Sequence, residues 1–203
     1  MNDLVIYEQP LTEYIRVCLR LEKLFNQIQH GARHQTVWDS TLAVEGLMEI
    51  LAIAERSDLK SRLAQALTSQ STKLSQLSRN PKVDGEKLEV YLGVLHDYMR
   101  ALHEQEDRFG HDLRENSLLS AVKQQSMAQG GLCVHNIPVF QLWLQNHPEK
   151  RTEDFHNWMK KLSLLKEIIN NLLTQARDYH PLVKKEAEKG FYQQSLATQS
   201  RVV

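Results

Sequence analysis

Apolar residues return at alternating intervals of three and four along most of the chain, which is the period of one helix face rather than of a strand. From Pro10 the stripe runs Leu11, Tyr14, Cys18, Leu21, Phe25 and Ile28, predicting a first helix with Cys18 on its buried side. A second helix over Ser40 to Arg56 turns Val44, Leu47, Leu51 and Ala54 inward. A third starts at Asp58, carries Leu59, Leu63, Leu67, Leu74 and Leu77, and stops at Asn80-Pro81. Asp84 caps a fourth, whose inward side is Leu88, Tyr91, Leu95, Tyr98 and Leu102. The polar stretch Glu104 to Asp112, with Gly110, reads as a loop before a shorter helix at about Asn116 to Ser126.

Late in the chain the period is most regular. Thr152 reads as the cap of one long helix in which Phe155, Trp158, Leu162, Leu165, Ile169, Leu172, Ala176 and Tyr179 are spaced 3, 4, 3, 4, 3, 4, 3. This is a heptad seam, so Phe155, Trp158, Leu162, Leu165, Ile169 and Leu172 are candidate dimer-seam residues. A core helix packed antiparallel to its neighbours presents the same pattern.

Three stretches depart from the helical period. Leu4-Val5-Ile6-Tyr7 is strand-like. Gly130-Gly131 forces a turn, Leu132-Cys133-Val134-His135 offers a short strand, Asn136 a cap, and Pro138 a first-turn proline leading into Val139 to Leu144. After His180-Pro181 the pattern dissolves; Phe191-Tyr192 follows Gly190, and the chain ends on Val202-Val203, which suggests a docked strand or a cut inside one.

With 203 residues and 41% hydrophobic content the chain can bury a substantial core. The 25 basic residues balance 25 acidic ones, which argues against bulk affinity for nucleic acid or membrane surfaces. Two cysteines make no disulfide framework, no apolar run reaches membrane-spanning length, and MNDLVIYEQP lacks the regions of a signal peptide. These features predict a soluble, cytoplasmic protein.

Catalytic and metal chemistry find little support. Cys133 and His135 on a strand share a face, but two ligands are too few for a structural zinc site. His30 and His34 straddle Gly31, where the first helix is expected to end. Cys133 has no identifiable orienting partner, and the acids Glu104, Glu106 and Asp107 lie in a polar loop that keeps carboxylates solvated. No phosphate-cradling or dinucleotide fingerprint follows a strand. No cofactor and no catalytic residue is expected. Arg16, Arg20 and Lys23 form a basic line on the outer face of the first helix.

VIYEQPLTEYIRVCLRLEKLF, the arginine in DLRENSLLSAVKQQ, GGLCVHNIPVFQLWL and GFYQQ resemble, in order from about Val5 to Gln194, the ZapD family of Z-ring-associated division proteins. The resemblance implies a mainly α, α+β fold: a helical bundle over about 10–128 and 138–180, joined to a small β-sheet subdomain from about 4–8, 130–136 and 190–203. It implies a homodimer without catalysis that binds the C-terminal tail of the tubulin-like protein FtsZ and bundles its filaments at the mid-cell division site. In such a fold the Gly130-Gly131 segment supplies a strand near Val5 to Tyr7, and Phe140 and Trp143 anchor the following helix. Family members continue beyond GFYQ with further strands that SLATQSRVV does not clearly match, so the β part is expected to be incomplete at the C-terminus.

Arg16, Arg20, Arg56 and Arg114 carry over as candidate tail-binding residues. A planar guanidinium holds a carboxylate bidentately, and a tail mixing acidic and apolar residues suits arginines beside an apolar groove. Each could equally pair with a neighbouring acid of its own chain. Two other readings fit the same residues: a helical dimeric adaptor with a different protein partner, and a weak nucleic-acid-binding module using Arg16, Arg20 and Lys23, against which the neutral net charge counts.

Overall fold

The computed structural model describes residues 6–34, 36–78, 80–81, 83–128, 136–180, 182–187 and 189–195. The fold is organised around a helix that is apolar on nearly every side, α2 (Val37–Ala54), which buries Ala43, Val44, Leu47, Ile50, Leu51 and Ile53 among others. It gives water the line of Trp38, Leu42, Glu49 and Ala52, and packs most of the rest against α1 (Glu13–His34) and α6 (Pro138–Leu144). Thr36 caps it: its hydroxyl accepts the Asp39 N–H at 3.1 Å and donates to the Asp39 carboxylate at 2.5 Å.

Helix α1 (Glu13–His34) runs antiparallel to α2 and buries Cys18, Leu21, Leu24, Phe25 and Ile28. The two backbones come close at Gly31, where a Cβ would stand 2.4 Å from the Asp39 carbonyl oxygen. Helices α3 (Leu59–Leu77) and α4 (Gly85–Glu104) pack together, the latter capped by Asp84, whose carboxylate accepts the Lys87 N–H at 3.2 Å. Gly110, at φ +68°, then turns the chain into a 3-10 turn (His111–Glu115) that buries Leu113. Asn116 accepts the Leu119 N–H at 3.1 Å and opens α5 (Ser117–Ala128).

The last three helices are α6 (Pro138–Leu144), α7 (Pro148–Lys160) and α8 (Ser163–Tyr179). Pro138 occupies the first turn of α6, as its fixed φ and missing N–H favour. Phe140 and Trp143 join Phe155 and Trp158 in one aromatic cluster with ring centroids 5.3 to 5.8 Å apart. They anchor α6 to the core as expected, and the Trp143 indole N–H donates to Asp154 at 2.8 Å. Helix α8 packs on α1 and touches α3 and α4.

Three expectations are corrected. The small β-sheet subdomain gives way to an all-α fold: among the described residues there is no strand, and Phe191 makes only an isolated bridge. Residues 6–10 and 192–195 are irregular, with Ile6, Tyr7 and Phe191 exposed rather than paired into a ladder. Leu4, Val5, the Gly130-Gly131 turn, Cys133, His135 and Val202-Val203 lie outside the described residues.

The single long helix from Thr152 is two helices. The backbone tightens at Lys161 and Leu162, whose N–H groups donate to Trp158 and Met159 three residues back. The three-four spacing runs across the break because both helices bury the same side. Thr152 does not cap; it lies inside α7, its hydroxyl 3.1 Å from the carbonyls of both Pro148 and Ala32.

The seam is occupied within one chain. Phe155, Trp158, Leu162, Leu165, Ile169 and Leu172 are all buried, none more than 6% exposed. Its regularity is that of a core stripe.

Candidate arginine-rich binding surface

Arg16 and Arg20 stand one turn apart on the outer face of α1, with side chains 60% and 62% exposed. Each holds an acid: Arg16 reaches Glu13 at 2.5 Å, and Arg20 crosses to Glu49 of α2 at 2.9 Å. Seven residues beyond Glu49, roughly 10 Å along the helix direction, α2 has ended and Arg56 pairs with Asp58 at 3.3 Å. Asp58 is shared with Arg62 at 2.7 Å. Partial desolvation pushes the Asp58 carboxyl up, but the charges of Arg56 and Arg62 outweigh it and hold the group below the usual range.

Arg114 comes from the 3-10 turn and meets the residue just before Arg56. Its Nε lies 3.5 Å from Glu55 Oε1, which Lys123 of α5 also contacts, and Arg108 donates to the Glu55 carbonyl at 2.8 Å. The sequence reading thus separates in space into two stations. Arg16 and Arg20 form one, on α1. Arg56 and Arg114 form the other, at the C-terminal end of α2.

Arg114 differs from the other three. Its side chain is only 27% exposed, and its Nε and Nη2 are buried with no hydrogen-bond acceptor. Glu55 meets the charge of this guanidinium without closing a hydrogen bond, so directional donors are left unused at some cost in stability.

Sequence reasoning missed Arg62, Arg108 and Lys123, which join the second station from α3, the loop before the 3-10 turn, and α5. Only folding brings residues 55–62 together with 108–123, and no spacing rule marks it. Glu106 and Asp107, on the same loop as Arg108, are exposed. Lys23 and Glu104 are exposed on α1 and at the end of α4.

Cys18 is buried, and burial, followed by the nearby Glu22 charge, pushes its thiol up to about 12, far from a nucleophile's range. His30 and His34 lie on α1, which does not end at Gly31 as expected but runs on to His34, and their rings are tilted by 38° with centroids 4.0 Å apart. Among the described residues no group of three or more His, Cys, Asp and Glu side chains is placed to hold a metal ion. None of the described helices is long and apolar enough to cross a membrane.

Fold and surface together define an all-α protein with an arginine-rich corner built on the α1–α2 pair. The ZapD family model, described as a cell division protein, matches residues 19–202. The chain is 38% identical over 192 residues to a cell division protein ZapD of Coxiella burnetii (strain RSA 331 / Henzerling II), an alignment covering 95% of this chain and 74% of that relative. It is 36% identical over 192 residues to the ZapD of Nitrosomonas eutropha, covering 95% of this chain and 76% of that one. For the ZapD of Methylococcus capsulatus the figures are 31% over 196 residues, 97% and 77%. The chain belongs to the ZapD family of cell division proteins.

Proposed function

We propose that this chain is a non-enzymatic, cytoplasmic division factor that binds the C-terminal tail of FtsZ and, as a homodimer, cross-links FtsZ filaments at mid-cell. Membership of a cell division family supports the setting, and the exposed side chains of Arg16 and Arg20 on one face of α1 are the observation that carries the binding. A tail carboxylate is the bidentate acceptor that planar guanidinium groups suit. Arg16, Arg20 and Arg56 hold acids in exposed pairs, each worth no more than about 1 kcal/mol, so an incoming carboxylate exchanges for the resident one at little cost.

Bundling follows from valency. A roughly micromolar tail site corresponds to about 8 kcal/mol, and two such sites on a dimer join filaments because neighbouring tails raise the effective concentration for the second contact. Since the heptad-spaced side chains are buried within each chain, the dimer contact is assigned to a different surface.

Co-sedimentation with GTP-assembled FtsZ tests this. The wild-type chain should pellet with FtsZ and not with tail-less FtsZ. Arg16→Glu with Arg20→Glu, and separately Arg114→Gln, should abolish or sharply reduce pelleting with unchanged circular dichroism. Full binding by both folded variants removes the proposed site, and binding to tail-less FtsZ removes the tail mechanism.

A further inference from the structure

Gly31 stands between His30 and His34 and reads in the sequence as a helix stop, which would set the two histidines on different elements. Folding removes that separation. Gly31 does not take the left-handed conformation by which glycine ends a helix. It is a glycine because the Asp39 carbonyl oxygen of α2 lies 2.4 Å from where a Cβ would stand. Helix α1 therefore runs on to His34, and the two histidines become an i,i+4 pair on one face at its C-terminal end.

Both residues are exposed, and their rings, tilted by 38°, already have centroids 4.0 Å apart. Two nitrogens bound to one ion at about 2.0–2.1 Å lie roughly 3–3.5 Å from each other. Rings this close reach that separation by side-chain rotation, and because both residues are exposed the rotation leaves the core untouched. The same i,i+4 spacing presents two imidazoles to a single ion in helical zinc sites. Imidazole suits zinc, nickel and copper, whereas calcium and magnesium take oxygen ligands.

The local charges oppose one another. Arg33, exposed near the end of the same helix, repels a cation, while the C-terminal end of α1 carries the negative end of the helix dipole and attracts one.

We propose that His30 and His34 form a two-point chelate for a divalent ion of the zinc, nickel and copper class, with water in the remaining coordination positions. Two ligands are half of a structural tetrahedral set, so the site exchanges its ion and does not hold the fold together. Affinity follows the general order, copper above nickel and zinc. The assignment is independent of how the chain meets FtsZ.

Isothermal titration calorimetry of the full chain with Zn2+, and electron paramagnetic resonance with Cu2+, provide the test. The wild type should take up an ion, and the bound copper should show hyperfine coupling to imidazole nitrogen. His30→Gln and His34→Gln should each weaken uptake by at least the roughly tenfold that even outer-shell changes cost a metal site, with unchanged circular dichroism. Asn26 is exposed on α1, four residues before His30. Adding Asn26→His to His34→Gln therefore rebuilds the pair one turn earlier and should restore binding. No uptake by the wild type, or equal uptake by the wild type and both single variants, overturns the proposal. If His34→Gln is impaired and the rebuilt pair does not recover, the loss belongs to His34 with ligands other than His30, and the two-point chelate is likewise overturned.

Discussion

Truncating Leu165 to alanine separates the stability of the chain from its self-association. Leu165 is fully buried in α8, with Leu162, Ile168 and Ile169 equally inaccessible around it. Removing three carbons from such a site loses their transfer free energy and leaves a cavity, together about 2–5 kcal/mol. For a chain of this size each kcal/mol moves the midpoint by about 2–4 °C, so a loss on the order of 3 kcal/mol lowers Tm by about 6–12 °C. Thermal unfolding followed by circular dichroism at two protein concentrations a hundredfold apart reads this directly. A core position gives the same wild-type-to-variant difference at both concentrations, because the lost contacts lie within one chain. Light scattering below the melting range should give the wild-type mass. A variant that keeps its Tm within about 2 °C while its mass halves would show that the stripe joins two chains, and would refute the packing argument.

Arg151 supports a further stability prediction. It is 4% exposed and donates to Ser40 Oγ at 3.1 Å and to the carbonyls of Leu144 and Asn146 at 2.8 and 2.5 Å, and burial lowers its pKa. Arg151→Met strands those acceptors at the end of α6 and should cost about 2–3 kcal/mol, read as a lower urea midpoint with an unchanged m-value. Gly31→Val drives a side chain into the Asp39 carbonyl and should destabilise the α1–α2 pair by about 1–3 kcal/mol, measured by chemical denaturation. Arg177 holds Glu8 at 2.6 and 2.9 Å and Glu22 at 2.8 Å, and its hydrogen bond keeps the Glu8 carboxyl below the usual range. That contribution is full above the unfolded value of about 4.3 and is lost as pH falls through the depressed native one. Hydrogen-exchange protection factors at residues 6–12, corrected for the intrinsic pH dependence of exchange, should therefore fall at acid pH, and in Arg177→Met at every pH; equal protection in that variant would refute the role of this ion pair.

The helical period carried much of the fold. Cys18, Leu21, Phe25 and Ile28 are buried as their spacing requires, Asp84 caps α4, and Pro138 opens α6. The break at Lys161 and Leu162 was hidden because periodicity reports the side that is buried and is silent about the hydrogen bonds between turns. Arg151 was hidden differently. In EKRTED it looks like one more surface charge, and it is buried only because α6 ends beside α2 and its carbonyls need a donor. The binding corner was half legible: Arg16 and Arg20 share a local helix face, whereas Arg114 reaches Glu55 across 59 positions of sequence.

The burial of α2 also makes it a ruler. Its inner face is held by α1 and α6, so the interval of roughly 10 Å between Glu49, where Arg20 docks, and the Glu55–Arg56 corner is fixed by helix geometry and does not breathe with the surface. An extended partner advances about 3.3 Å per residue and spans that interval in about three residues, whereas a helical one needs about seven. A segment that grips both stations at once must therefore carry its acids about three apart if extended and about seven apart if helical, and a chain with adjacent acids can satisfy only one station at a time.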